Sequence, residues 1–122
     1  MIKLSVFTTM LTYEGTLCYY VDTGILTLYD YTSDTEITLD SNSLIGNFGY
    51  EFTPVKLVLD LDKQRYDRVI IAGVEFDVTA YSISATVAAG QNYIDFGPQV
   101  LANAGLQGYL YIDYCIITVD EP

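Results

Sequence analysis

The fold is decided by the stretch from residue 74 to residue 87, which reads VEFDVTAYSISATV. Its apolar residues recur at every second position, which is the period of a β-strand with two different faces. The apolar residues from Val74 to Ala80 share one face, whereas those from Tyr81 to Val87 fall on the opposite face. A change of phase inside one long strand is typical of a β-bulge or a sharp bend. We therefore predict a bend near Ala80 and Tyr81, of the kind found where one strand contributes to two sheets.

The same period of two appears on both sides of this stretch, in short segments separated by turn residues. Glu14-Gly15 and Asp22-Thr23-Gly24 predict tight turns between neighbouring antiparallel strands. The charged residues 62–67 predict a loop. Residues 88–108 form the longest irregular stretch, in which residues 98–104 have the sequence of one or two helical turns. The predicted strands cover residues 2–13, 16–22, 25–31, 36–40, 55–61, 68–72, 74–87 and 109–119.

Eight or nine short strands without a long helix predict an all-β fold. The expected architecture is an antiparallel β-sandwich, with a jelly roll as one form of it. A chain of 122 residues fits a single domain that covers residues 1–122. The twelve tyrosines and five phenylalanines, together with many β-branched residues, agree with a sheet-rich core.

The charge and the residue types limit the possible classes of function. Sixteen acidic residues against five basic ones give a formal charge of −11, which repels nucleic-acid phosphates and anionic membrane surfaces. Direct nucleic-acid binding is therefore not expected. The chain contains no histidine, which is the commonest general base and the commonest transition-metal ligand. A Ser-His-Asp or Cys-His mechanism is excluded, and since no carboxylate pair is marked out for catalysis, we expect a protein that is not an enzyme.

The N-terminus and the two cysteines bear on the compartment of the protein. The first residues lack a continuous apolar segment and a small-residue cleavage site, so no signal peptide is evident. No stretch is long and apolar enough to predict a membrane span. Cys18 and Cys115 lie in predicted strands, where a free cysteine usually behaves as a small buried hydrophobe. A disulfide between them is the alternative, which a cytoplasmic protein would not normally form.

Three acidic residues around one predicted turn are the candidates for a metal site. Asp60, Asp62 and Asp67 gather carboxylate oxygens on a bend, and Ca²⁺ prefers such ligands. The complete calcium-loop pattern, with a central glycine and a terminal glutamate, is missing. Solvated turn residues are the alternative interpretation. We therefore expect no cofactor, and calcium is the candidate to test.

The candidate binding residues are tyrosines and amides. Tyr109 and Tyr111 share one face of the last predicted strand, and tyrosine is common at protein interfaces because it combines an apolar ring with a polar hydroxyl. Gln91, Asn92 and Tyr93 lie in a predicted loop, and loops on a rigid sheet often carry binding residues. Packing within the sheet is the alternative for the tyrosines, and an ordinary crossover is the alternative for the loop.

The chain carries no motif that identifies a family. By fold analogy alone, a small acidic β-sandwich resembles the decoration, fibre-base and auxiliary proteins of viral and phage particles. This resemblance implies a non-enzymatic structural protein that acts through protein–protein contacts, as a homo-oligomer or in a larger assembly. Such a protein would be made in the cytoplasm and incorporated into a virion. Two alternatives stay open: a glycan-binding β-sandwich module, with or without calcium, and an acidic inhibitor that mimics nucleic acid.

Overall fold

A computed structural model describes residues 2–8, 10–20, 23–41, 53–87, 90, 93–98 and 116. This part of the chain is all-β, with nine strands in two antiparallel sheets and no helix, which confirms the predicted all-β class. Over the same residues there is accordingly no helix that could span a membrane. The strands are β1 (Ile2–Phe7), β2 (Leu11–Tyr20), β3 (Ile25–Asp30), β4 (Thr35–Asp40), β5 (Val55–Asp60), β6 (Arg65–Ile71), β7 (Val74–Asp77), β8 (Ser84–Val87) and β9 (Tyr93–Pro98).

The larger sheet has six strands, and β2 lies at its centre. The strand order is β4-β3-β2-β1-β9, and β8 pairs with β2 beside this path. On one edge β2 pairs with β1. Its other edge is shared, because residues 11–14 pair with β8 and residues 17–20 pair with β3. The smaller sheet has the order β5-β6-β7.

The stretch of residues 74–87 bends where the sequence predicts, but it forms two strands and not one. β7 belongs to the three-stranded sheet and β8 to the six-stranded sheet, with a turn at residues 79–80 between them. Backbone hydrogen bonds fasten the connection to the start of β6: the Tyr66 N–H donates to the Tyr81 carbonyl at 3.0 Å, and the Ile83 N–H donates to the Gln64 carbonyl at 3.2 Å. The change of apolar phase thus marks the passage of the chain from one sheet to the other.

The turn predicted at Glu14-Gly15 is wrong, because both residues lie inside β2. The chain reverses earlier, where the Thr8 N–H donates to the Leu11 carbonyl at 2.8 Å and the Leu11 N–H donates to Thr8 Oγ1 at 2.9 Å. A Cβ atom at position 15 would lie 2.7 Å from Leu59 Cδ2 and 2.9 Å from Tyr66 Cε1. Gly15 therefore serves a close approach between the two sheets, which is a second reason for glycine in a strand.

Other boundaries agree with the sequence in part. The turn before β3 is confirmed, and Gly24 has a φ of 70°, which glycine adopts readily. The charged loop is shorter than predicted, because β6 already begins at Arg65. Residues 88–108 are not irregular throughout, since β9 lies within them and ends at Pro98. The helical turns predicted after Pro98 lie outside the described residues, as does the strand predicted for residues 109–119, apart from Ile116.

A β-bulge in β6 turns a tyrosine toward the core. Val58 pairs with Arg68 whereas Leu59 pairs with Tyr66, so Asp67 is the extra residue. The bulge shifts the phase of β6 and places the Tyr66 side chain among buried apolar residues, while Asp67 stays half-exposed. The buried apolar cluster draws on both sheets and on the connection between them, and it contains Leu17, Leu26, Leu28, Tyr66, Val69, Ile71, Val78 and Ile83.

Candidate functional site

The six-stranded sheet has two different faces. Its inner face carries Leu17, Leu26 and Leu28 of the buried cluster, and its outer face is polar. On the outer face, the Tyr31 hydroxyl donates to Glu14 Oε1 at 2.7 Å, and Lys3 Nζ lies 2.6 Å from Glu14 Oε2. Burial, together with the hydrogen bond to Glu14, raises the pKa of Tyr31 to about 12. This tyrosine therefore remains a neutral hydrogen-bond donor at ordinary pH.

A second group of polar side chains lies on the outer face over β2, β3 and β4. Glu36 accepts hydrogen bonds from the Tyr20 hydroxyl at 2.7 Å and from Thr27 Oγ1 at 3.1 Å. The Tyr29 hydroxyl donates to Asp34, and this hydrogen bond is the main reason for the raised pKa of Tyr29. These carboxylates already hold donors of the same chain. The group stabilises the sheet surface and has no geometry that marks it as a catalytic pair.

Asp30 is the most buried carboxylate among the described residues and is 8% exposed. It accepts hydrogen bonds from the Ser82 N–H at 2.8 Å, from Ser82 Oγ at 2.7 Å and from Ser33 Oγ at 2.6 Å. Burial alone would raise the pKa of Asp30, but the hydrogen bonds from Ser33 and Ser82 outweigh it and hold the pKa well below its usual value. Asp30 thus stays ionised and fastens the turn after β3 to the connection between the sheets.

The Tyr66 hydroxyl occupies a gap in the β2–β3 ladder. The last pair of that ladder is Leu17 with Leu28, so Thr16 and Tyr29 would form the next pair. Instead the Thr16 N–H donates to the Tyr66 hydroxyl at 2.8 Å, and that hydroxyl donates to the Tyr29 carbonyl at 2.8 Å. Burial raises the pKa of Tyr66. The Tyr66 side chain, which belongs to the small sheet, therefore replaces a backbone hydrogen bond between two strands of the large sheet.

Asp60, the first of the predicted calcium ligands, is surrounded by cations. Its Oδ1 accepts a hydrogen bond from the Lys63 N–H at 3.1 Å, and its Oδ2 lies 3.3 Å from Lys63 Nζ and 3.7 Å from Arg65 Nε. The hydrogen bond from the Lys63 backbone is the main reason why the pKa of Asp60 is lowered. The carboxylate therefore closes the β5–β6 turn through the Lys63 N–H, and its charge is shared between two neighbouring basic side chains.

The other two predicted calcium ligands do not join Asp60. Asp67 lies beyond the turn, at the bulge in β6, where its Oδ2 is 3.1 Å from Arg68 Nε. Asp62 is exposed in the turn itself. In the described part of the chain no three residues of the types His, Cys, Asp and Glu are grouped so that they could hold a metal ion.

The predicted binding residues can be located only in part. Tyr93 begins β9 and does not belong to a loop. Gln91 and Asn92 lie outside the described residues, and so do Tyr109 and Tyr111. Their contribution to binding stays a prediction.

Cys18 is a free cysteine on β2 and is half-buried. Burial raises the pKa of its thiol, and the negative charge of Glu36 adds to this effect. A thiol with a raised pKa is a poor nucleophile at neutral pH. Cys115 lies outside the described residues.

The inner face of the six-stranded sheet is not covered evenly. Around Gly15 it touches Leu59 and Tyr66 of the small sheet. Further along β2, toward Leu11, two apolar side chains of the neighbouring strands are exposed: Val87 on β8 is 91% exposed and Ile94 on β9 is 36% exposed. The register places these two side chains on the inner face, in rows with Leu11, Tyr13 and Val6. We call this surface the open apolar patch, and it consists of the exposed Val87 and Ile94 together with the half-buried Val6, Leu11 and Ala85.

The sequence contains part of the signal for this patch. Ala85 and Val87 lie on the apolar parity of their strand. Nothing in the pattern shows that Val87 is exposed, because the burial of a strand residue depends on how distant parts of the chain pair and pack. No protein-family model matches this chain, and neither a curated protein nor a solved structure matches it.

Proposed function

We propose that this chain is a non-enzymatic structural protein that acts through protein–protein contacts within a larger assembly, such as a virion. The open apolar patch is the observation that carries this proposal. Val87 leaves almost its whole side chain in water, although burying a valine is worth about 1.5–3 kcal/mol. Exposed apolar side chains that share one face of a sheet are typical of a contact site for another protein.

The polar groups of the described residues support a structural role. Glu14, Asp30, Glu36 and Asp60 each hold donors or cations of the same chain. Each described carboxyl group with a resolved pKa shift is shifted downward, which keeps it ionised and unsuited to general acid catalysis near neutral pH. Such groups rigidify a surface for assembly.

The architecture under this proposal is a β-sandwich. A buried cluster that takes residues from both sheets supports a face-to-face arrangement. The analogy with particle-associated proteins is an argument from fold class, and fold class does not determine function. The proposed assembly function therefore rests on the open apolar patch and not on the fold class, and the patch can be tested by experiment.

Size-exclusion chromatography with light scattering, over a wide range of protein concentration, tests the proposal. We expect a mass above that of one chain, or joining of the chain to a larger particle when it is produced with its native partners. A strict monomer that joins no partner would contradict the proposed function.

One observation favours a second candidate, a glycan-binding module. Tyr20 exposes 41% of its surface beside Glu36 on the outer face, and an exposed aromatic ring beside a carboxylate can stack on and hydrogen-bond a sugar. Retention on a glycan array, lost in Tyr20→Ala, would support this function. Loss of this retention when Ca²⁺ is removed with a chelator would show that the binding depends on calcium.

A further inference from the structure

We propose that residues 81–83 form a latch between the two sheets, and that β8, which follows the latch, detaches from β2 while the latch and the core stay closed. The latch is part of the connection that carries the chain from the small sheet to the large one. Detachment of β8 opens one half of the shared edge of β2. This conformational device rests on the contacts of the connection and does not depend on the proposed assembly function.

One side of the latch is bonded to the turn that follows β3. The Ser82 N–H and Ser82 Oγ donate to Asp30 Oδ1 at 2.8 Å and 2.7 Å. The Ser82 carbonyl accepts from the Tyr31 N–H at 3.2 Å, and Ser82 Oγ accepts from the Thr32 N–H at 2.7 Å. Each polar group of Ser82 therefore has a partner in this one turn.

The other side of the latch is bonded to the start of β6 in the small sheet. The neighbours of Ser82 make these bonds, because successive residues of an extended chain direct their backbone groups to opposite edges. The Tyr81 carbonyl accepts from the Tyr66 N–H at 3.0 Å, and the Ile83 N–H donates to the Gln64 carbonyl at 3.2 Å. Three consecutive residues are thus paired on both edges, as in a central strand.

The two turns that hold the latch are built alike. Each begins with an aspartate whose carboxylate accepts the N–H three residues further on, at 3.2 Å for Asp30 and 3.1 Å for Asp60. Each also contains a residue other than glycine with a positive φ, which is 56° at Asp34 and 52° at Gln64. Side-chain hydrogen bonds of this kind hold a turn in one conformation. The latch therefore lies between two preformed turns.

Apolar burial secures the latch but not the strand beyond it. Val78, just before the latch, and Ile83, its last residue, both belong to the buried cluster. The first two residues of β8 are half-buried and the last two are exposed. A segment with few buried apolar contacts opens at a lower free energy than the core does. We therefore expect β8 to open before the latch.

The opening of β8 is limited to one ladder. β8 pairs with residues 11–14 of β2, and breaking this ladder leaves β2 paired with β1 and with β3. The buried cluster of the described residues includes no residue of β8, so the cluster stays intact. The latch thus sets the point, between Ile83 and Ser84, at which the opening stops.

Native-state hydrogen exchange, over urea concentrations below the unfolding transition, tests this device. Exchange by local opening is nearly independent of urea, whereas exchange that requires unfolding of the core becomes faster with urea. The Val69 amide reports the core, since it lies in the central strand of the small sheet and is fully buried. In wild type, we expect the β8 amides paired with β2 to exchange at least about tenfold faster than the Ile83 amide and independently of urea. The Ile83 amide should follow Val69.

Three variants locate the latch. Ser82→Ala removes the hydroxyl that joins Asp30 to the Thr32 N–H, and Asp30→Asn weakens the same contacts without changing the size of the side chain. In both, the Ile83 amide should exchange at least about tenfold faster and lose its dependence on urea, while Val69 keeps its own. Asp30→Asn decides the question if Ser82→Ala does not fold. Thr86→Ala, the control, removes an exposed hydroxyl of β8 and should leave Ile83 as in wild type.

Two results would overturn the proposal. If the paired β8 amides of wild type exchange at the same rate as Val69 and with the same urea dependence, β8 does not detach separately. If the Ile83 amide keeps its urea dependence when the contacts between Ser82 and Asp30 are weakened, those contacts do not close the latch. Neither result bears on the proposed assembly function, which the solution mass tests separately.

Discussion

The inner face of the six-stranded sheet is buried at one end and open at the other. At the covered end, Leu17 is 3% exposed and Leu28 is fully buried. At the open end, Val87 is almost fully exposed, although it lies on the same face. Both ends have strands with alternating apolar residues. The comparison shows that a period of two reports which side chains share a face and does not report what covers that face.

The largest expected difference between the two ends comes from truncating one residue at each. Leu28→Ala removes a fully buried side chain and should lower the free energy of unfolding by about 3 kcal/mol, through lost burial and the cavity left behind. Val87→Ala should change it by less than about 0.5 kcal/mol. Urea unfolding of the two variants measures both values, and equal losses would mean that the open end is covered within the monomer.

The second prediction concerns the Tyr66 hydroxyl, which bridges the backbones of β2 and β3 at the covered end. Tyr66→Phe leaves the Thr16 N–H and the Tyr29 carbonyl without their shared partner and should cost about 2 kcal/mol. Faster hydrogen exchange of the Thr16 amide would accompany the loss. Tyr20→Phe is the control, since its hydroxyl bonds to Glu36 on the exposed surface. A Tyr66→Phe protein as stable as wild type would show that the two strands close the gap themselves.

The third prediction is a pH dependence with a smaller amplitude. The pKa of Asp30 is lower in the folded chain than in the unfolded chain, so its ionised form contributes stability above the unfolded pKa of about 3.9. This contribution is lost as the pH falls below that value toward the folded pKa. Asp30→Asn should therefore be less stable than wild type by about 1–2 kcal/mol at neutral pH, and the difference should shrink in acid. Thermal melts of both proteins at a series of pH values measure it, and a difference independent of pH would contradict this role of the carboxylate.

Local patterning predicts the strands well where their neighbours in sequence are also their neighbours in space. The turn before β3 is an example, since Gly24 donates its N–H to the Tyr20 carbonyl within one hairpin. Glu14-Gly15 misleads because glycine is typical of turns, whereas Gly15 is required by the side chains of Leu59 and Tyr66, far away in sequence. The phase change near Tyr81 predicts a bend but cannot tell a bulge from a passage between sheets.

The candidate site was less predictable for a related reason. The acidic residues at positions 60, 62 and 67 are close in sequence, but they do not form one site. Asp67 lies at the bulge in β6, and Asp60 is paired with basic residues. The open apolar patch combines residues of β1, β2, β8 and β9, which come together only through long-range pairing. The exposure of Val87 and Ile94 therefore depends on long-range pairing, which a local sequence pattern does not report.

The shared edge of β2 also bears on the order in which the chain folds. Residues 17–20 of β2 pair with β3, which follows after a short turn. Residues 11–14 pair with β8, which lies far along the chain and is synthesised much later. Closing so large a loop is entropically costly and slow compared with forming a hairpin. During synthesis, the first half of β2 therefore emerges with an unpaired edge. The period before β8 arrives is when a newly made chain is most exposed to pairing with the wrong neighbour.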